Sequence, residues 1–199
     1  MESLRKYLGY IVFIFVAVAA AVGVIVYTTE AGDVFKQVSD FDSFLMVLFP
    51  WLARVICWVI IAIMAIVTTV KLGNLDAQKR DDKCVKMVVV GALAEFLAML
   101  ALIIVMFKMN ASKYIPGKAW ALLIITALVL VAAIVRKVSF AQNNLVSKIM
   151  AAALALVMFV VMIISSDGAA GKGLVVFILW IIGYALLTAH PLLSSPLKQ

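Results

Sequence analysis

The sequence predicts an all-α integral membrane protein, a bundle of six transmembrane helices forming one polytopic domain over residues 1–199, with the N-terminus and C-terminus both cytoplasmic. Three observations carry that reading. Hydrophobic residues make up 67% of the chain at a mean hydropathy of +1.21, well beyond the ~45–50% apolar content of soluble domains. Six stretches, about 7–27, 48–70, 85–107, 119–135, 147–165 and 173–191, approach or exceed the ~20 apolar residues that a spanning helix needs. Lysines and arginines gather in short segments between those stretches, alternately rich and poor.

The first stretch follows Arg5 and Lys6 and superficially resembles a secretory signal, with Ala19 and Ala21 imitating a cleavage site. Its apolar run, Leu8 to Val26, is roughly 19 residues, longer than the ~7–15 of a signal core, so a retained helix is expected. Ala17 and Ala21 form a small-xxx-small pair that suits contact with another helix or subunit. The segment from Thr28 to Ser43 carries Glu30, Asp33, Asp40 and Asp42 against Lys36. It reads as a solvated connector with a short amphipathic turn around Val34–Val38; an acidic surface for cations or a basic partner is the alternative.

A second helix starting near Pro50 uses proline where a first turn tolerates it. Arg54 would then lie only about 6 Å below the outer helix end. It is expected to snorkel outward, with its guanidinium placed to stack on Trp58 four residues on. Pairing with Glu95 is the lesser reading, because side chains lean toward the N-terminus of their own helix and these two helices run in opposite directions.

Glu95 is the most informative residue. It lies about ten positions, or roughly 15 Å, into the third stretch, near the bilayer midplane, where a charge costs at least ~2.5–3.5 kcal/mol. Gly91, Ala94, Ala98 and Ala101 share its helical face, and small residues permit close helix contact. Glu95 is therefore a candidate intramembrane proton or cation site facing a helix interface. The plain alternative is a neutral acid hydrogen-bonded across a packed contact.

Trp120 and Arg136 frame the fourth stretch, and Asn110-Ala111-Ser112 is a glycosylation sequon too close to the membrane to be read as more than chance. Thr68, Thr69 and Thr126 are expected to bond back to their own helix backbones. In the sixth stretch Trp180, Tyr184 and Thr188 recur at four-residue spacing beside Gly183. With Arg54 and Trp58 they are candidate pocket-lining residues, although an aromatic stripe at helical spacing also serves packing. His190, before Pro191, reads as an interfacial histidine at a helix stop.

Orientation follows from the basic flanks, since cytoplasmic segments carry the excess. Arg5, Lys6, Lys71, Lys79, Arg80, Lys83, Lys86, Arg136, Lys137, Lys148 and Lys198 fall on one side. Lys36, Lys108, Lys113, Lys118 and Lys172 fall on the other. The net charge of +7 is thus explained by topology and lipid headgroups, and nucleic acid is not an expected partner. Cys57 and Cys84 form no CxxC or Cys/His cluster, so neither a disulfide framework nor a metal site is expected. With no GxSxG, HExxH or Walker sequence the chain does not read as an enzyme, and no cofactor is called for.

Size, six helices, inward termini and the alanine pair resemble, in layout, the substrate-binding subunits of energy-coupling-factor vitamin transporters. Those proteins present many polar and glycine residues in their last three helices, where this chain has few, so no substrate residue carries over. The functional expectation is binding or translocation of a small solute, proton or cation in the cytoplasmic (plasma) membrane, with the lipid bilayer as surroundings and a homo-oligomer or membrane subunit as possible company. A non-catalytic scaffold acting through helix faces is the alternative, and a lipid-modifying enzyme comes last.

Overall fold

The computed structural model describes residues 2–140, 144–166 and 171–193, with backbone alone for residues 2–6, 144 and 172. Of the residues counted for orientation, Lys198 and the side chains of Arg5, Lys6 and Lys172 lie outside that set. Six helices follow in order: α1 (Glu2–Gln37), α2 (Phe41–Lys71), α3 (Ala77–Lys108), α4 (Gly117–Ser139), α5 (Asn144–Ser165) and α6 (Lys172–Leu193). All six are long and apolar enough to cross a membrane. The chain is a polytopic membrane protein, all-α among the described residues.

Neighbours in sequence pack against each other, and α1 meets α6 to close the ring. The third helix leaves the ring line and also packs on α5 and α6, which makes it the central post. Half of its most apolar window is buried, against 28% for α4. Gly91, Ala92, Ala94 and Ala98 on α3 are all buried, so its backbone approaches its neighbours closely, as packing without a hydrophobic driving force requires. The core around them is built from Phe13, Trp58, Ile61, Met87, Val88, Leu122, Met158, Trp180 and Leu187. Outward-facing residues such as Ile63, Val70, Ile104, Leu128, Ile134 and Leu156 remain exposed. An apolar surface this extensive suits a lipid surround and not water.

Six crossings put residue 2 and residue 193 at the same end of the bundle, here called the terminal end. The α1–α2, α3–α4 and α5–α6 connections form the distal end.

The first three helices have 36, 31 and 32 residues, the last three 23, 22 and 22. At 1.5 Å per residue that is about 46–54 Å against about 33–35 Å. Much of the excess lies where a loop was expected. Thr28–Gln37 continues α1, α2 already begins at Phe41, and only residues 38–40 connect them. The solvated connector with a turn at Val34–Val38 is thus replaced by a helical hairpin. Its support is specific: Phe35 packs on Phe44 and Trp51, with ring centroids 5.4 and 5.8 Å apart. Asp40 caps α2 by accepting a hydrogen bond from the Ser43 backbone N–H at 2.8 Å. That bond holds the Asp40 carboxyl below its ordinary pKa. Pro50 consequently lies inside α2, not in its first turn, and removes the bond that the carbonyl of residue 46 would accept.

The α3 C-terminus closes with Asn110 in the left-handed region at φ 54°. The Ala111 N–H bonds the Met106 carbonyl at 2.9 Å and the Asn110 N–H bonds that of Phe107 at 3.1 Å, a Schellman closure.

Candidate functional site

The first consequence of the early start of α2 is depth. Arg54 lies thirteen residues beyond Phe41 and Glu95 thirteen before Lys108, so both are about 20 Å below the distal helix ends. They are level with one another. The expected snorkelling of Arg54 does not occur, because α2 begins at Phe41, nine residues before Pro50, and its side chain reaches across to α3 instead. Its Nε donates to Glu95 Oε1 at 2.9 Å and its Nη2 to Oε2 at 2.8 Å. The Nη1 group donates to the Tyr27 hydroxyl. The side chains are 16% and 4% exposed, so this is a buried fork-to-fork ion pair with strong charge-assisted bonds. The guanidinium carbon sits 5.8 Å from the Tyr27 ring centroid, so tyrosine takes the stacking place anticipated for Trp58.

Glu95 is thus the buried interfacial acid the sequence indicated, with Gly91, Ala94 and Ala98 buried beside it and Ala101 half-buried. Both of its oxygens are occupied by Arg54. A proton or bare cation would have to compete with that guanidinium.

Above the pair, toward the distal end, a cavity of about 250 Å³ opens between α1, α2, α3, α5 and α6. Arg54 and Glu95 line it together with Tyr27, Glu30, Trp58, Phe177, Trp180, Ser165 and Ser166. An aromatic run borders it: Tyr27 meets Trp58 edge-on at 5.0 Å, Trp58 meets Trp180 at 5.5 Å, and Trp180 meets Tyr184 at 5.8 Å. Arg54, Trp58 and Trp180 therefore line the cavity as the sequence suggested. Tyr184 and Thr188 do not. The Tyr184 hydroxyl lies so close to α3 that a Cβ on Gly91 would overlap it, and Thr188 bonds back to the Tyr184 carbonyl at 2.8 Å. Tyr184 seals the bundle beneath the pair, and Thr188 behaves as Thr68, Thr69 and Thr126 do, each bonding a carbonyl of its own helix. A second cavity of about 370 Å³ between α1, α2 and α3 shares Tyr27, Glu30 and Arg54. Glu30, which belongs to α1 and not to the expected connector, faces both.

The terminal end holds polar groups that the sequence reading took for flanking charges. Arg136, 5% exposed, donates from Nη1 to Asp82 at 2.9 Å and from Nε to the Ser147 carbonyl at 2.8 Å. His190 is not interfacial: it is fully buried, and its Nδ1 lies 3.3 Å from Oδ1 of Asp81, itself 1% exposed. The helix runs on through Pro191 to Leu193, which leaves the histidine inside the bundle. Helical register was the available signal. Asp81 precedes Glu95 by fourteen positions, within about 40° of four full turns at 100° per residue, and so shares its face.

Cys57 and Cys84 are buried free thiols. Among the described residues no cluster of His, Cys, Asp or Glu has the makings of a metal site. No family model, no curated protein and no solved structure matches the chain.

Proposed function

We propose that this multi-pass protein binds and translocates a small polar solute, which enters the distal cavity and contacts the Arg54–Glu95 pair at its floor. The charge bias of the flanks supports a cytoplasmic membrane with the distal end outside. One observation carries the reading: a forked pair of opposite charges, buried midway through the bundle, forms the end wall of a cavity. An ion pair that served only to bolt α2 to α3 would need no cavity against both partners, whereas a solute site needs its two charges within reach of the space the solute enters.

The cavity limits the solute. At about 250 Å³ it falls below the ~300–1,000 Å³ of drug-sized sites. It offers both charge signs and aromatic walls. A solute with a carboxylate and an ammonium group can replace each partner of the pair in turn without leaving a charge unpaired, so a zwitterion fits the wall best.

The test uses purified protein in mild detergent. Thermal unfolding is followed with free alanine and γ-aminobutyrate as zwitterions, choline as cation and succinate as anion, and any hit proceeds to flux assays in proteoliposomes. A zwitterion is expected to raise the unfolding temperature of the native chain and to lose that effect in a folded Arg54→Gln/Glu95→Gln double variant. If none shifts the native protein, and the double variant is less stable than it, the pair is a helix bolt and the chain a scaffold.

A further inference from the structure

The hairpin that replaces the expected connector encloses a space that the ion pair does not need. Helices α1 and α3 both pack on α2, and the second cavity, of about 370 Å³, lies between them. Its α2 wall reaches up to Met46, eight residues distal of Arg54, and its α3 wall to Leu102, seven distal of Glu95. At 1.5 Å per residue it rises about 10–12 Å above the pair. The upper walls are apolar: Val34 from α1, Met46, Val47 and Trp51 from α2, Met99 and Leu102 from α3. They offer the unpaired indole N–H of Trp51, one strong donor where an ordered water needs about two to four polar partners.

We infer that the solute of the Arg54–Glu95 site is an α-amino acid with a long apolar side chain, its charged end at the pair and its side chain in the cavity between α1, α2 and α3. This rests on the pair being a solute site. In such a solute the carboxylate, the ammonium and the side chain diverge from one carbon. Its site must therefore bring a positive group, a negative group and an apolar space together. Tyr27, Glu30 and Arg54 line both cavities and form that junction. Arg54 receives the carboxylate, Glu95 takes the ammonium from the smaller cavity that it lines, and the apolar walls of the larger one receive the side chain.

The two cavities differ in the way such a solute demands. The smaller carries Ser165 and Ser166 besides its charged groups, which suits a polar head. A solute that was all head would leave the larger space without an occupant, and apolar walls gain most from an apolar one. Met46 and Met99, unbranched and polarisable, adapt to side chains of different shape. A lipid acyl tail entering the same space would end against Arg54 and Glu30, where it satisfies neither charge.

The series alanine, 2-aminobutyrate, norvaline and norleucine lengthens the side chain one methylene at a time and keeps the head unchanged. Titration calorimetry on the purified protein in mild detergent is expected to show affinity rising about threefold or more per methylene. Hexanoate and hexylamine, which each lack one charge of the head, are expected to bind about tenfold or more weakly than norleucine. Leu102→Trp fills the apolar space and is expected to hold the norleucine-to-alanine affinity ratio below about threefold; should it fail to fold, Val47→Phe serves. Affinity that stays flat along the series while alanine binds overturns this inference and leaves the solute site standing. Hexanoate or hexylamine binding as tightly as norleucine overturns it too, because the space is then a plain apolar groove. A native ratio retained in the folded filling variant puts the side chain elsewhere and has the same force. If no member of the series binds, the solute site itself fails and the inference with it.

Discussion

The central helix carries two buried charged clusters, and they are built differently. At Glu95 every carboxylate oxygen has a donor, the guanidinium has a third acceptor in Tyr27, and the assembly faces a cavity. At Asp81 the facing imidazole has no aligned hydrogen bond and the site is covered by Leu72. The first is bonded throughout yet open; at the second the imidazole lacks an aligned bond and is closed over. Full bonding holds the charge pair beside the cavity, whereas the imidazole is held by packing against Phe13 and by the close approach of α1 and Leu72.

The sharpest way to break the contrast is to remove one charge from the open pair. Glu95→Gln alone is expected to cost about 3–5 kcal/mol in unfolding free energy, because Arg54 is left buried without a counter-charge. Arg54→Gln/Glu95→Gln should recover most of that loss in the same denaturation series, since no bare charge remains. Equal losses in the single and double variants would show that bonding geometry, not charge balance, holds the pair.

A middle-sized effect tests the floor that keeps the two clusters apart. Gly91→Ala drives a methyl into the Tyr184 hydroxyl, and overpacking of this kind costs about 1–3 kcal/mol. Tyr184→Phe is expected to relieve most of it, read as recovery of the unfolding midpoint in the double variant. The smallest effect belongs to the rim of the closed cluster. Asp82 is 47% exposed in side chain against 4% for Glu95, so water can take the place of its charge beside Arg136, and Asp82→Asn should cost about 1 kcal/mol. A loss as large as that of Glu95→Gln would place Asp82 among the buried charges and erase the distinction.

How much of this was legible in the sequence depends on what reports depth. The six helices were legible because apolar composition over about 20 residues has few other meanings. Glu95 stood out because it interrupts such a run in the middle. Its partner was misjudged through one boundary: polar residues on a helix that extends past the apolar stretch look like a loop, so α2 was started near Pro50 and Arg54 placed too shallow. Arg136 and His190 are misplaced for a related reason, and the burial of Asp81 goes unmarked for the same one. A charge near the end of an apolar run can face headgroups or the bundle interior, and only neighbouring helices decide which. Here α1, α5 and α6 cover them, a tertiary fact that local pattern does not contain. Tyr184 and Thr188 show the converse, since their spacing matched a pocket wall while Gly91 drew the tyrosine into the packing.

The unequal helix lengths carry a mechanical consequence. Helices α5 and α6, at about 33 Å, match a hydrocarbon core of about 30 Å, while α1 to α3 exceed it by half again and accommodate a bilayer by tilting or protruding. The cavity mouth is shared between these unequal halves, with Tyr27 and Glu30 from the long set facing Ser165 and Gly173 from the short one. A thicker or thinner membrane therefore loads the two walls unequally, and lipid chain length becomes a variable acting on the width of the entrance.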